Sequence, residues 1–191
     1  IVDPSILSDA IGRLLEGLEV LSEDVESDKP VLSQKFGILR AEKQLDTDFV
    51  TYTNDHGGLG LLFFDIDHFK KLNTKHTETV VDQSILRPLQ NLLLDIVQSR
   101  GFVYSVGGDE FIILLRNVAN NEAGAFGHRL SETVRNHQFQ IGDEAEFLTI
   151  SVGVACYPSS AETLPELRML ANQAENEAKK KGRDCVVLVE Q

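Results

Sequence analysis

The chain has no tryptophan, one methionine, two cysteines and five prolines among its 191 residues. Cys156 and Cys185 stand apart in apolar, strand-like surroundings. They fit reduced core thiols and exclude a disulfide framework or a cysteine metal site. Basic residues are also scarce, with 18 Lys and Arg against 30 Asp and Glu, a formal net charge of −12. That balance excludes the basic stripe of a nucleic-acid-polymer surface, although a local cluster of cation and lysine can still hold a nucleotide. No run approaches the ~18 apolar residues of a membrane span, so no membrane contact is expected in this stretch. The first residue is Ile1 rather than Met, which suggests a fragment. The domain itself is expected in the cytoplasm, with any sensor or membrane anchor lying upstream. The remainder is ordinary, 42% apolar and 25% charged, and long enough for one well-buried domain plus an appendage.

Residues 1–27 differ from the rest. Leu7, Ile11, Leu14, Leu18, Leu21 and Val25 recur at spacings of 4, 3, 4, 3 and 4, a heptad seam. It reads as a parallel coiled coil pairing two chains, or as one amphipathic helix folded back on its own domain. Ser27-Asp28-Lys29-Pro30 breaks it, so the domain proper is expected over 28–191. A helical pattern follows at about 31–46, then a polar loop, then a buried strand at Leu59–Ile66. Helices are expected at about 67–74 and 79–99, the second kinked or restarted by Pro88. A hairpin at 102–116, a helix at 120–136, a strand at 146–156, a helix at 163–181 and a strand from Cys185 to Val189 complete the order. This is an α+β, palm-like arrangement: a mainly antiparallel central sheet flanked by helices, packed on one face, and preceded by an N-terminal signalling helix.

The most informative stretch is Ser105 to Leu115, strand, turn and strand with Asp109 and Glu110 at the bend. Gly107 and Gly108 are expected to supply the positive φ of a two-residue turn. Asp65 and Asp67 end the first buried strand, on the face opposite Ile66. If that strand lies beside the hairpin, three or four carboxylates crowd one sheet edge, and a hard divalent cation relieves their repulsion. The plainer reading makes Asp65 a helix cap and Asp109-Glu110 a solvated turn. His68-Phe69-Lys70-Lys71 opens the next helix, where backbone N–H groups and lysine suit phosphate oxygens. Lys179-Lys180-Lys181-Gly182-Arg183 closes the last helix, and also serves its dipole. Asn73 and Asp82 carry an amide and a carboxylate that match the guanine edge. Spacing alone favours a plain helix end and a solvated helix side for that pair.

Together these blocks resemble the GGDEF domain, the catalytic module of diguanylate cyclases. Gly107-Gly108-Asp109-Glu110-Phe111 is the signature, and Phe64-Asp65-Ile66-Asp67-His68-Phe69-Lys70-Lys71-Leu72-Asn73 matches the first-strand block. Leu148 to Ala155 and Ala178 to Arg183 match two later blocks, so the likeness covers about 30–190. It implies condensation of two GTP into cyclic di-GMP with release of pyrophosphate, by a homodimer joined through the N-terminal helix. It implies Asp65, the Ile66 carbonyl and Asp109 as ligands of Mg²⁺, two ions per site, with Mn²⁺ as the alternative. Glu110 becomes the catalytic carboxylate. Asn73 and Asp82 become the guanine readers, against the reading from spacing. The backbone of His68 and Phe69, with Lys70, Lys179 and Arg183, becomes the phosphate holder.

The sequence departs from the family pattern at Thr74, Thr77-Glu78 and Val81, and at Ser105, where the family has arginine. The early block is barely recognisable over Asp28–Phe36. The Arg-x-x-Asp product-inhibition motif falls on Gln98 and Gly101, so no feedback binding is expected at that place. Two alternatives follow: a degenerate domain that binds GTP and regulates a partner without turnover, and a cyclase of altered nucleotide use.

Overall fold

The computed structural model describes residues 39–54 and 57–189. The N-terminal helix and its heptad seam lie outside the described residues. A two-residue strand β1 (Arg40–Ala41) leads through a 3₁₀ turn into α1 (Leu45–Thr53), then β2 (Leu59–Ile66) and α2 (Phe69–Lys75). A short α3 (Glu78–Val81), a π-helical turn (Asp82–Leu86) and α4 (Arg87–Val97) follow. Next come β3 (Gly101–Ser105), β4 (Glu110–Arg116), α5 (Asn120–Asn136), β5 (Phe139–Ile141) and β6 (Glu144–Glu146). β7 (Ile150–Tyr157), α6 (Leu164–Lys180) and β8 (Val186–Leu188) complete the order. The main sheet runs β1-β3-β4-β2-β7-β8. Its three inner pairings are antiparallel, and β1 and β8 join the edges in parallel.

β2 is the central strand, and its continuous apolar run is covered on both faces. Leu62, Phe64 and Ile66 meet Leu89 and Leu93 of α4 and Phe126 and Leu130 of α5. Leu59, Leu61 and Phe63 meet Leu45 and Phe49 of α1 and Leu164, Leu167 and Ala171 of α6. The expectation of helices on one face is therefore corrected: a strand apolar at successive positions needs a partner on each side.

Two further local expectations change and a third is met. The helical pattern at 31–46 gives way, within the described residues, to β1, and the helix starts only at Leu45. Arg40 is drawn inward by an ion pair with Asp48, which also accepts the Tyr104 hydroxyl at 2.6 Å, and this tertiary pull overrides helical propensity. The helix at 79–99 does restart near Pro88, the second residue of α4, with the π turn absorbing the interruption. The strand expected at 146–156 is split, because β6 pairs instead with β5 around Gly142, at φ 60°. Both cysteines are free, and burial pushes the Cys156 thiol up to about 11. Among the described residues no helix is long and apolar enough to cross a membrane.

α6 reaches the sheet only because residue 153 has no side chain. A Cβ on Gly153 would lie 2.0 Å from the Ala171 carbonyl oxygen and 2.3 Å from the Glu175 nitrogen. Both are helix backbone, which cannot yield locally. Gly153→Ala is expected to cost about 3 kcal/mol in a denaturant titration. It should also weaken the site below, since α6 carries Lys179.

Candidate functional site

Antiparallel pairing of β2 with β4 sets Asp65 opposite Glu110, with their side chains on one face. The Ile66 N–H donates to the Asp109 carbonyl at 3.3 Å, which draws the acidic turn onto the end of β2. That turn spans residues 106–109, between Ser105 and Glu110. The N–H groups of Val106 and Gly107 both donate to the Glu110 carbonyl, at 3.1 and 3.3 Å. Neither Gly107 nor Gly108 adopts positive φ, which corrects the expected two-residue turn. Four loop residues reverse the chain without it. At Gly107 the space is tighter, because a Cβ there would stand 3.3 Å from Glu110 Oε2, the free end of that side chain. Gly108 is different: a Cβ would meet nothing within 4 Å. The fold itself asks for neither its flexibility nor its small size.

Asp65 is the electrostatic centre of the corner. Burial pushes its carboxyl up, Lys179 opposes that, and neighbouring Asp109 adds to it. Lys179 Nζ lies 2.6 Å from Asp65 Oδ2 and 2.7 Å from Glu175 Oε1. Burial pulls the Lys179 ammonium down, but these two carboxylates together hold it above its usual range. The raised Asp65 carboxyl opposes folding once ionised. Its favourable contribution is complete below the pKa of an unfolded aspartate and is lost as pH rises through the higher folded value. Without divalent cation, Asp65→Asn is therefore expected to melt above the wild type at neutral pH. That advantage should shrink as the pH falls into the carboxylate range, as followed by thermal melts.

Asp67 has a separate role that the sequence did not disclose. Its side chain is fully buried and accepts from Thr149 Oγ1 and Ser151 Oγ, both at 2.7 Å, and from the Asp184 N–H at 3.0 Å. Arg183 and Asp184 occupy left-handed backbone conformations, with φ of 69° and 50°. Asp184 in turn takes a bidentate pair from Arg135 at 2.8–2.9 Å. Asp67 thus pins the loop that carries Arg183, whose Nε lies 3.9 Å away. The signal available in the sequence was the Thr149-x-Ser151 alternation, which puts two hydroxyls on one side of β7 and its approach.

These groups border a cavity of about 730 Å³. Asp65, His68, Phe69, Lys70, Lys179 and Arg183, all anticipated, line it together with Asp67, Lys71, Thr74 and Lys75. His68 enters α2 in the left-handed region, with φ 59°. Ile66, Asp109 and Glu110 are not among the lining residues, nor are Asn73 and Asp82. The last two are exposed, and Asp82 is paired with Arg87 at 3.3 Å. Among the described residues no three His, Cys, Asp or Glu side chains are grouped to hold a metal. The donors at this corner are the carboxylates of Asp65 and Asp109 with the backbone beside them.

The sequence profile of the family described as "Diguanylate cyclase, GGDEF domain" matches residues 39–185. The chain is 34% identical over 137 residues to an uncharacterised protein, YhcK, of Bacillus subtilis (strain 168), covering 71% of this chain and 38% of that one. It is 32% identical over 133 residues to a probable diguanylate cyclase, DgcT, of Escherichia coli (strain K12), covering 67% and 28%. It thus spans well under half the length of these relatives. The GGDEF domain of DgcB from Caulobacter crescentus, solved in complex with c-di-GMP, superposes with a TM-score of 0.71 at 22% identity. That overlap covers 80% of this chain and 90% of the other, and it shows a shared fold.

Proposed function

This chain belongs to the GGDEF family of diguanylate cyclases, and from that premise we propose that it condenses two GTP into cyclic di-GMP and pyrophosphate. One observation carries the reading: Asp65, at the end of β2 and opposite Glu110 of β4, borders one cavity together with Lys70 and Lys179 from two helix ends. Asp65, Asp109 and the Ile66 carbonyl would hold Mg²⁺ or Mn²⁺. Two half-buried acids, with Asp109 raising the proton affinity of Asp65, suit a divalent cation. Bound there, such a cation supplies charge neutralisation at the phosphates and makes a coordinated hydroxyl more acidic.

The remaining work falls to the chain's own groups. Lys70, Lys179 and Arg183, with the backbone of His68 and Phe69, hold the triphosphate and offset the charge that grows on the departing pyrophosphate. Glu110 receives the proton of the attacking 3′-hydroxyl. Asn73 and Asp82 would read guanine from the α2 side, Asp82 exchanging Arg87 for the base. One cavity holds one GTP, so two copies must face each other, and the heptad seam is the device we assign to that pairing.

The reading without feedback control also has support. The place of the motif's aspartate is Gly101, where a Cβ would stand 2.1 Å from the Leu114 carbonyl oxygen. No aspartate fits that backbone. A specific observation keeps the degenerate reading alive as well: Thr74, Glu78, Val81 and Ser105 replace family residues on the nucleotide side. The deciding experiment supplies purified protein with Mg²⁺ and a mixture of GTP and ATP, and reads products by mass spectrometry. Cyclic di-GMP alone is expected, at an initial rate that added cyclic di-GMP leaves unchanged. GTP binding with no product establishes the degenerate domain, and an adenine-containing cycle establishes altered nucleotide use.

A further inference from the structure

The cavity has more cations than free positive charge. Lys75 is held by Glu146 at 2.9 Å and Glu144 at 3.5 Å, and Arg183 lies near Asp67. Lys179 is held twice, by Asp65 and by Glu175. Glu175 stands apart among these acids. It sits on α6 one helical turn before Lys179, its side chain is only 2% exposed, and nothing in the chemistry above uses it. Burying a carboxylate is costly unless a counter-charge meets it. Among the described residues, Lys179 is the one cation within ion-pair distance. Bare Gly153 lets the helix carry this acid so close to the sheet.

We propose that Glu175 is an acidic tether on Lys179, a positioning residue that keeps the ammonium on the protein's own carboxylates and holds the affinity for GTP down. The inference rests on the reading of the cavity as a Mg²⁺–GTP site. When a cation takes Asp65, Lys179 loses that partner. It cannot then swing fully onto a phosphate without leaving Glu175 as an unpaired buried charge, which is the costly state. While the pair stays closed, the Glu175 charge cancels much of the attraction that a phosphate oxygen would feel.

The test titrates the protein, in Mg²⁺, with 3′-deoxy-GTP, which carries the triphosphate and base but cannot form the 3′ ester. Glu175→Gln keeps the shape and removes the charge. Glu175→Leu fills the same buried place with an apolar group, and guards against one variant failing to fold. Both are expected to bind about tenfold more tightly, the order of one unit charge at this range in a half-exposed site. Lys179→Met, combined with either, is expected to abolish the gain. Unchanged or weaker binding in a folded variant overturns the tether, as does a gain that survives Lys179→Met. If the wild type binds and the variants match it, the tether alone falls. If no protein binds, the GTP reading falls with it.

Discussion

Glu110→Gln is expected to lower cyclic di-GMP formation by about 10³-fold, the usual scale for losing a proton acceptor in the reacting geometry. The substitution changes little else. Glu110 opens β4, and its carbonyl, not its side chain, accepts the Val106 and Gly107 N–H groups that shape the turn. An isosteric amide keeps the shape of the side chain and leaves the register with Asp65 intact. Folding, measured by melting temperature, and Mg²⁺–GTP binding should therefore remain near wild type. A variant that also lost GTP binding would assign Glu110 to substrate or cation holding.

Asp67→Ala is expected to be the most damaging single change for stability, about 3–5 kcal/mol in denaturant. Three donors lose their acceptor at once, the hydroxyls of Thr149, just before β7, and Ser151, within it, and the backbone N–H of Asp184. The loop that ends α6 depends on that N–H, because Arg183 and Asp184 are held in a conformation that L-residues avoid. GTP binding should fall along with stability, since Arg183 rides on the same loop. Asp67→Asn should be milder, because an amide can still accept from one or two of the donors. A loss of GTP affinity in a fully stable Asp67→Ala would instead make Asp67 a direct ligand.

Much of this was legible along the chain for a physical reason. β2, a continuous apolar run, and α5, a long helix, both lie where the sequence put them. The meeting of Asp65 with Glu110 follows from a buried strand beside a hairpin, so it too could be read ahead. The short strands could not. β1 and the β5–β6 pair have two or three residues each and exist through their partners, not through local preference. Gly107 and Gly108 invited a turn of the wrong length because dipeptide identity does not set loop length. Asp67 looked equivalent to Asp65, two residues away on the same face. What separates them is who donates: one meets hydroxyls and a backbone N–H, the other meets Lys179. Glu175 gave no signal at all, since an acid four residues before a lysine on a helix usually marks a solvated pair.

In the proposed chemistry Asp65, at the end of β2, and Asp109, in the turn before β4, jointly hold a divalent cation beneath the triphosphate. Electron paramagnetic resonance of Mn²⁺, titrated into protein with 3′-deoxy-GTP, tests it directly. Beyond the Mn²⁺ that the nucleotide holds by itself, a protein-bound fraction is expected in the wild type and is expected to disappear in Asp109→Asn and in Asp65→Asn, each still folded. Mn²⁺ bound equally well by all three proteins would contradict it.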